Sequence, residues 1–433
     1  MTAIRAAFRT LVLMALAGFV VSAQQPAVAP PAAATPASVG ISAERLTRLH
    51  AGMQGFIDRK EAGGIVTLIA RDGKVVDVHA SGFQDVESKT PMRTDTLFRI
   101  ASMTKPVTSV AVMMLYEEGR LQLSDPVSKF IPAFKSSRVL EGAVPEPVAA
   151  RRAITIRDLL SHRSGLTYGF INGGPVGGGY RKNGVTDGLA PTTMTLAEGI
   201  DKLAAEPLVS QPGAVWNYSL STDVLGRVVE VVSGQPFQVF VRDRILKPLR
   251  MPDTDFTVPD AKWSRMATMY SPDGNGGLRP MKDPESFGNA TMSPIATYKE
   301  PKTYFSGGGG LVSTARDYAR FAQMLLNGGA LDGARLLSPK SIELMTASHT
   351  ADLPGSPVMG PGAQFGLGVR VITDLAATQT LGSPGMYGWL GIYGTTFWVD
   401  PKERMVSILL VQRYPGSQVA AAFLPLVYQA LVK

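Results

Sequence analysis

Ser102 and Lys105 have the residue types and the spacing that could create a reactive nucleophile. They bound the tetrad Ser102-Met-Thr-Lys105, and no other Ser-x-x-Lys occurs in the 433 residues. Positions i and i+3 of a helix lie on one face, so the hydroxyl and the ammonium can meet there. Serine is a weak nucleophile until a neighbouring base activates it. The tetrad therefore predicts a serine nucleophile, although a capping serine beside a solvated lysine fits it better when it is taken alone.

A helix that begins at this tetrad would also supply part of an oxyanion hole. Residues 96–100 form an apolar extended stretch that leads into Ser102. The first N–H groups of a helix lack intrahelical partners, and the positive end of the helix dipole lies there. Both features favour negative charge on a substrate oxygen near Ser102.

Two later positions could complete such a site. Tyr218 lies just before a predicted helix, so its hydroxyl can reach a cleft. A phenol needs a nearby cation to accept a proton near neutral pH, and Lys105 could provide that charge. Trp389 and Gly391 lie on a predicted late strand, and the backbone N–H of Ile392 could be the second oxyanion donor. A packing tyrosine and an ordinary core strand are the alternatives at these positions.

Other kinds of site have little support in the sequence. The chain has no cysteine, which excludes a thiol nucleophile and Cys-ligated zinc. Its four histidines lie far apart, and neither HExxH nor a G-x-S-x-G nucleophile elbow occurs. A serine–histidine triad built on His162 is an alternative, but a histidine at the end of a leucine-rich helix is more typical of a structural role. We therefore expect neither a metal nor an organic cofactor.

Several segments, in the same order along the chain, resemble the serine β-lactamase and penicillin-binding-protein superfamily. They are Ser102-x-x-Lys105 and the stretches that begin at Thr155, Tyr218, Gly307 and Tyr393. The resemblance covers residues 41–433 and is strongest to the family VIII carboxylesterases, which look like class C β-lactamases. It implies Ser102 as the acylated nucleophile, with Lys105 and Tyr218 as proton-transfer partners. It also implies an oxyanion hole formed by the N–H groups of Ser102 and Ile392.

Two departures from the lactamase pattern favour neutral esters. Leu220 stands where the lactamases have the Asn of Tyr-x-Asn, and Trp389-Leu-Gly391 replaces Lys-Thr-Gly. β-Lactams and D-Ala-D-Ala peptides carry a carboxylate that a cation would hold, whereas a tryptophan offers an apolar wall. The sequence therefore predicts a serine carboxylesterase for neutral small-molecule esters. The alternatives are a class C-like β-lactamase, a D-alanyl-D-alanine carboxypeptidase, an acyltransferase, and a cell-wall binding or sensor module acylated without turnover.

The predicted elements place these residues between two lobes of an α+β fold. A helix capped by Ser42 and a hairpin around Asp72-Gly73 begin it, and strands over residues 365–372, 386–390, 393–399 and 405–411 end it before a last helix. One antiparallel sheet would come from both termini and be flanked by helices, over residues 41–118 and 301–433. Residues 119–300 would form an inserted, mostly helical lobe. The glycine-dense residues 173–184 are expected to be a loop, and they or residues 266–300 could act as a lid.

The N-terminus and the charge balance bear on location and partners. Residues 1–23 have the pattern of a signal peptide, with two arginines, an apolar stretch and a small-residue cleavage site. Residues 24–40 match an Ala/Pro-rich linker. These features predict a periplasmic or secreted protein without a membrane association after cleavage. The net charge of +8 is spread along the chain without a basic stripe, so nucleic acid is not an expected partner.

Overall fold

The computed structural model of the protein describes residues 34–141, 146–353 and 359–433. Their central element is an eight-stranded antiparallel sheet. In chain order its strands are β1 (Gly64–Arg71), β2 (Lys74–Asp85), β3 (Thr90–Pro91), β4 (Ala363–Phe365), β5 (Arg370–Ile372), β6 (Tyr387–Leu390), β7 (Thr396–Asp400) and β8 (Met405–Val411). They lie side by side as β4-β5-β6-β7-β8-β1-β2-β3. Because β8 pairs with β1, the sheet is built from both ends of the chain, as predicted.

The β1–β2 hairpin forms where Asp72-Gly73 separates two runs rich in β-branched residues. The φ angles of Asp72 and Gly73 are 54° and 74°, in the left-handed region that the tightest hairpin turns require. Side chains alternate along each strand, so Ile65 packs in one layer of core and Val66 in the other. Helices cover both faces, which is why β1 and β8 are apolar along almost their whole length.

The helices fall into layers on either side of this sheet. The α-helices, in chain order, are α1 (Ala43–Asp58), α2 (Thr104–Glu117), α3 (Ile156–Leu160), α4 (Pro175–Lys182), α5 (Leu196–Ala204), α6 (Ser221–Ser233), α7 (Phe237–Val241), α8 (Asp260–Trp263), α9 (Ala315–Leu326), α10 (Pro339–Thr346), α11 (Leu375–Thr378) and α12 (Val419–Tyr428). α1 and α12 pack together on one face of the sheet. On the opposite face, α9 packs against β1, β7 and β8.

Shorter elements connect these layers. Single turns of 3-10 helix occupy Pro36–Val39, Ala101–Met103, Val127–Lys129, Pro132–Ser136 and Ala296–Tyr298, and Arg242–Leu246 form a π-helix. Small antiparallel pairs join Phe98–Arg99 to Val312–Ser313, Arg138–Val139 to Val148–Ala149, Tyr270–Pro272 to Leu278–Pro280, Glu285–Phe287 to Ala290–Met292 and Ala330–Leu331 to Ala334–Arg335. The pair that includes Phe98–Arg99 matters most for function, because the chain passes directly from it into the Ser102 segment.

Helix α2 lies at the centre of the molecule. Every residue from Thr104 to Leu115 is buried. It packs against α6 and shares one continuous core with sheet residues such as Phe397 and Ile408. A helix that is buried on all sides needs apolar side chains on all sides, and its valines and methionines provide them. Lys105 is the charged exception, so its burial requires polar partners close by.

The structure confirms the predicted fold class and many of its elements. It is a mixed α+β fold with a large antiparallel sheet flanked by helices. Ser42 caps α1, since its side chain accepts a hydrogen bond from the N–H of Arg45 at 3.2 Å. Thr314 caps α9 in the same way, since its side chain accepts from the N–H of Asp317. The Ser42 cap could be predicted from the sequence, because a capping side chain satisfies a helix N–H that would otherwise lack a partner.

The predicted loop over residues 173–184 is wrong, because most of it is helix α4. Pro175 fits the first turn of a helix, where a missing N–H costs nothing. Val176 and Tyr180 are buried on one side of the helix. Packing of these two side chains outweighs the low helix propensity of the glycines between them.

The predicted single strand over residues 365–372 is also wrong. The chain turns back after β4, and the N–H of Gly366 bonds the carbonyl of Val369 at 2.8 Å. Gly368 has a φ of 87°, which L side chains rarely adopt, so the turn depends on glycine there. The apolar run therefore forms two short paired strands, β4 and β5, instead of one.

The structure tests only part of the predictions for the N-terminus. The predicted signal peptide, residues 1–23, and residues 24–33 of the predicted linker lie outside the described residues. The last part of that linker is folded, since Pro36–Val39 form a 3-10 helix with Val39 buried against the α1–α12 layer. The described residues form one compact unit, and the proposed lobe boundaries near residues 118 and 300 remain predictions. In this part of the chain no helix has the length and apolar character to cross a membrane.

Truncating Ile408 should test the central position of β8. Its side chain is fully buried between the sheet and the α2 core, so Ile408→Ala should lower the free energy of unfolding by about 2–5 kcal/mol. Urea denaturation followed by circular dichroism measures this change. Val231→Ala is the matched control, because Val231 is 40% exposed and its loss should change stability by about 0.5 kcal/mol or less. Equal effects of the two substitutions would contradict this packing.

Candidate active site

Ser102 lies on a tight turn between a strand and the central helix. It belongs to the 3-10 turn Ala101–Met103, and α2 begins immediately afterwards at Thr104. Ala101 has a φ of 43°, a left-handed conformation that is uncommon for a residue with a side chain. This conformation turns the chain sharply, and Ser102 remains partly exposed between the buried Ala101 and Met103. Such strain persists only where the surrounding structure fixes it.

The contacts that fix this turn come from distant parts of the chain. The Tyr318 hydroxyl donates to the carbonyl of Met103 at 2.7 Å. The N–H of Leu311 donates to the Thr104 hydroxyl at 3.1 Å. The Thr395 hydroxyl donates to the carbonyl of Ile100 at 3.3 Å. The turn is therefore held by α9, by the segment after the glycine run and by the loop between β6 and β7.

Lys105 places its ammonium directly beside the Ser102 hydroxyl. Its side chain is fully buried. Lys105 Nζ lies 3.2 Å from Ser102 Oγ, 2.9 Å from the Tyr168 hydroxyl and 2.7 Å from the carbonyl oxygen of Gly308. An ammonium has three protons, so it can satisfy all three oxygens at once. The predicted Ser102–Lys105 contact is therefore present, and Tyr168 and Gly308 join it.

Tyr218 lies over the same lysine, as the sequence predicted. Lys105 Nζ is 4.5 Å from the centre of the Tyr218 ring, within the range of a cation–π contact. The indole N–H of Trp389 points to the Tyr218 hydroxyl at 3.4 Å. Both contacts favour negative charge on the Tyr218 oxygen, and Tyr218 and Trp389 line the pocket that contains Ser102.

A buried carboxyl balances the charge of the lysine. Asp223 lies on α6, is fully buried and accepts a hydrogen bond from the Tyr304 hydroxyl at 3.3 Å. Burial raises the pKa of Asp223, while contacts with Ser306 and the charge of Lys105 act in the opposite direction. The pKa of Tyr168 is raised well above its ordinary value, first by burial, so this phenol stays protonated.

Gly308 is required because the space around Lys105 and Asp223 is crowded. A Cβ atom at Gly308 would lie 2.5 Å from Asp223 Oδ2 and 2.9 Å from the Tyr168 hydroxyl, closer than real contacts permit. The glycine run from 307 to 310 therefore lets the backbone approach the buried lysine, so that the Gly308 carbonyl can accept its hydrogen bond.

The end of β6 closes the other side of the Ser102 turn. The N–H of Gly391 donates to the carbonyl of Thr395 at 2.8 Å. A Cβ atom at Gly391 would lie only 2.4 Å from the carbonyl oxygen of Ile100. Gly391 lies behind the pocket and is not one of its lining residues, whereas Trp389 and Ile392 do line it. The predicted role of the Ile392 and Ser102 N–H groups as an oxyanion hole remains a prediction, although both residues border one pocket.

The pocket itself is small and mainly apolar. Its volume is about 180 Å³, and its walls are formed around Ser102 by Tyr168, Phe170, Leu189, Tyr218, Trp389 and Ile392. Ile171 and Leu390, which are 46% and 40% exposed, lie at its rim. Among the described residues that line it there is one ionisable carboxyl, Asp187, and no lysine or arginine. A substrate carboxylate would therefore meet no lining cation here.

His162 is not placed to act on Ser102. It is fully buried among Trp216, Tyr218 and Phe365, and its Nδ1 lies 3.3 Å from the Ser219 hydroxyl. Burial, with a smaller contribution from the nearby charge of Lys105, holds the pKa of His162 well below its usual value. The ring is therefore neutral and packs behind the tyrosine, which fits the structural role that the sequence favoured.

Two other features of the described chain are not connected to this chemistry. A larger cleft of about 530 Å³ is lined by Arg152, Arg157 and Asp158 and contains none of the residues around Ser102. Its arginines are engaged in protein contacts, such as the Arg152–Asp158 ion pair. No group of three or more His, Asp or Glu side chains within residues 34–141, 146–353 and 359–433 is arranged to hold a metal ion.

Comparison with known proteins agrees with this geometry. The Beta-lactamase family model matches residues 49–429. The protein belongs to the beta-lactamase family. Protein Rv1367c of Mycobacterium tuberculosis is 38% identical to this beta-lactamase-family chain over 385 residues, covering 86% of the chain and 91% of the relative. Esterase EstB of Burkholderia gladioli is 34% identical over 377 residues, with the same two coverages. A putative D-alanyl-D-alanine carboxypeptidase of Escherichia coli is 28% identical, covering 89% of the chain and 86% of the relative.

The solved structures give the same fold. EstCE1, described as a hydrolase with promiscuous acyltransferase activity, superposes with a TM-score of 0.78 at 32% identity. The match covers 89% of this beta-lactamase-family chain and 98% of EstCE1. Together with the family match and the esterase relative, this establishes the protein as a serine hydrolase of the beta-lactamase fold.

Three residues of the site had no assigned role in the sequence. Asp223 and Gly308 lie inside stretches that resemble the family, and Tyr168 lies three residues beyond another. The available signal for Asp223 was an acid on the buried side of a predicted helix. For Gly308 it was the run of four glycines. Nothing local distinguishes Tyr168 from a packing tyrosine, because its partner Lys105 is 63 residues away.

The close approach at Gly391 gives a direct test of this geometry. In Gly391→Ala the new methyl group overlaps the Ile100 carbonyl and must push the β6 end away from the Ser102 turn. Displacement of catalytic groups by about 1 Å should lower kcat/KM on the order of 10²-fold. Steady-state kinetics with a chromogenic ester measures the loss.

Gly416→Ala is the control for that substitution. Gly416 has no atom within 4 Å of the added methyl group, so kcat/KM should stay near the wild-type value. Wild-type kinetics in Gly391→Ala would show that the β6 end and the Ser102 turn can separate without consequence.

Proposed function

We propose that this protein hydrolyses neutral carboxylic esters through an acyl-enzyme on Ser102. The observation that carries the proposal is the fully buried ammonium of Lys105, 3.2 Å from Ser102 Oγ, together with a pocket at Ser102 whose described lining residues include no cation. The first feature supports a serine nucleophile, and the second supports neutral substrates. An esterase relative that is 34% identical over most of the chain supports the same activity.

The reaction would proceed in two steps. Ser102 Oγ attacks the ester carbonyl, its proton passes to Tyr218 in the phenolate form, and the N–H groups of Ser102 and Ile392 stabilise the tetrahedral oxyanion. Tyr218 returns the proton to the departing alcohol, and Ser102 carries the acyl group. Water then attacks the acyl-enzyme, gives up a proton through the same residues, and releases the carboxylic acid.

Tyr218 is the better proton acceptor because Lys105 is already occupied. The three protons of its ammonium match three oxygens, of Ser102, Tyr168 and Gly308. As a fixed cation 4.5 Å from the Tyr218 ring, Lys105 would stabilise the phenolate that accepts the serine proton. The remaining assignment, of Trp389 as the donor that orients the Tyr218 hydroxyl, follows from the 3.4 Å contact.

The location of the enzyme is a separate proposal. The charged, apolar and small-residue sequence of residues 1–23 supports export to the periplasm or out of the cell. A substrate there would reach Ser102 through the rim formed by Ile171 and Leu390.

Removing the nucleophile tests the mechanism. Ser102→Ala should lower kcat for p-nitrophenyl butyrate by at least about 10³-fold, because no acyl-enzyme can form. Wild-type protein should show a rapid burst of p-nitrophenolate equal to the enzyme concentration if deacylation is slower than acylation. Ser109→Ala is the control, since Ser109 is buried on helix α2, which follows Ser102, and has no hydrogen-bond partner among the described residues. Turnover that survives in Ser102→Ala would reject this nucleophile.

Replacing the phenol tests the proton transfer. Tyr218→Phe keeps the ring over Lys105 but removes the hydroxyl, so kcat should fall by about 10²–10⁴-fold while KM changes little. An unchanged kcat would move the base to Lys105.

The lactamase and carboxypeptidase alternatives are separated by substrate. Both need a site for a carboxylate, and the described lining of the pocket offers no arginine or lysine. A chromogenic cephalosporin and a D-Ala-D-Ala peptide should therefore be turned over with a lower kcat/KM than p-nitrophenyl butyrate. A higher value for either would favour that alternative, and acylation of Ser102 by the cephalosporin without any turnover would favour the sensor module.

A further inference from the structure

One acid lies in the otherwise apolar pocket and has no part in the proposed reaction. Asp187 lines the pocket together with Ser102, Phe170 and Leu189. Asp223, which lies near Lys105, does not line this pocket, so Asp187 is a second carboxyl at a different position. An ionised group in an apolar wall is costly unless it has a function or strong partners, so its presence needs an explanation.

The position of Asp187 is fixed by backbone contacts. The N–H of Gly169 donates to Asp187 Oδ1 at 3.1 Å. The following Gly188 has a φ of 72°, and its N–H donates to the Thr186 hydroxyl at 3.1 Å. The carbonyl of Leu189 accepts the N–H of Ser293 at 2.9 Å. The carboxyl therefore lies on a tight, anchored turn and keeps one place in the pocket wall.

The charges around Asp187 come from two helices. Arg181 on α4 lowers its pKa and the charge of Asp223 on α6 raises it, but burial is the largest effect and brings the pKa to about 6. The N–H groups of Gly169 and Phe170 favour the ionised form. The nearby phenols of Tyr168, Tyr180 and Tyr304 have raised pKa values and stay neutral. Asp187 is thus negative at pH 8 and largely neutral at pH 5.

We propose that Asp187 is a specificity residue that makes the pocket reject esters with an anionic acyl chain and favour esters with a cationic one. This inference rests on the proposed esterase activity of Ser102. It adds to that proposal the effect of the charge on the acyl chain. An acyl chain that extends from Ser102 along the apolar walls of the pocket brings its terminal group near Asp187. The described lining contains no cation that could offset a carboxylate there.

The expected size of the effect follows from the interaction of two charges. Unit charges about 6 Å apart at an effective dielectric constant near 20 change an equilibrium on the order of 10²-fold. Solvent at the mouth of the pocket and motion of the end of the acyl chain weaken the interaction between the two charges. We therefore expect a change of about tenfold in selectivity.

Three p-nitrophenyl esters with the same leaving group test the proposal. They are the neutral butyrate, the anionic monosuccinate and the cationic 4-(trimethylammonio)butyrate. The quantity measured is kcat/KM for each charged ester divided by kcat/KM for the butyrate, at pH 8. In Asp187→Asn the amide oxygen can still accept from the N–H of Gly169, but the negative charge is gone. The anionic ratio should rise about tenfold and the cationic ratio should fall by a similar factor.

Glu206→Gln is the matched control. It also removes a negative charge, but Glu206 does not line the pocket. Its two ratios should stay at the wild-type values. If Asp187→Asn changes all three esters by one factor, or if Glu206→Gln shifts the ratios equally, the proposal is overturned. A structural role alone would give the former result, and a diffuse surface field would give the latter.

A pH series on the wild-type protein keeps the test independent of how well the variant folds. The monosuccinate carboxylate stays ionised above pH 5, whereas Asp187 gains its proton as the pH falls through about 6. Rejection of the monosuccinate should therefore weaken between pH 8 and pH 5, and a constant ratio would overturn the proposal. Absence of butyrate hydrolysis at any pH would instead reject the esterase activity itself.

Discussion

The burial of one ammonium group constrains how the rest of this structure is arranged. Lys105 lies inside the central helix with no exposure to solvent. An unpaired charge there would be too costly, so the fold must bring acceptors to it from elsewhere. Tyr168 and Gly308 come from distant segments and bond Lys105 Nζ, and the carboxyl of Asp223 lies nearby. Ser102 is the third hydrogen-bond partner of Nζ, and it lines the pocket together with Tyr168 and Gly308.

This convergence depends on close backbone approaches that only small residues permit. Gly308 comes up to the lysine from one side, and Gly391 brings the end of β6 to the carbonyl of Ile100 on the other. The positive φ of Ala101 turns the chain between these two contacts. The geometry of the nucleophile is therefore set by packing from both sides and by hydrogen bonds to its backbone, so it does not rely on the local preference of the Ser-x-x-Lys segment.

These features also explain what the sequence could and could not reveal. The i, i+3 spacing showed that Ser102 and Lys105 could meet, and the periodicity and order of the elements predicted the fold class, because helix spacing and strand periodicity are local properties. The helix over residues 175–182 was missed because tertiary packing of Tyr180 outweighs a run of glycines. Tyr168 was missed because its meaning comes from an atom 63 residues away. Contacts of that kind arise only when the chain is folded.

The chemistry near Ser102 does not distinguish an ester from a β-lactam, since both present a carbonyl to the same nucleophile. Discrimination must therefore come from the walls of the pocket and from what the rest of the substrate carries. In this protein Trp389 serves as wall and as hydrogen-bond donor to Tyr218. Trp389 therefore links the substrate wall to the residue proposed for proton transfer. Any replacement of Trp389 changes the pocket wall and the donor to Tyr218 together, so at this position substrate recognition and the support of Tyr218 cannot be altered independently.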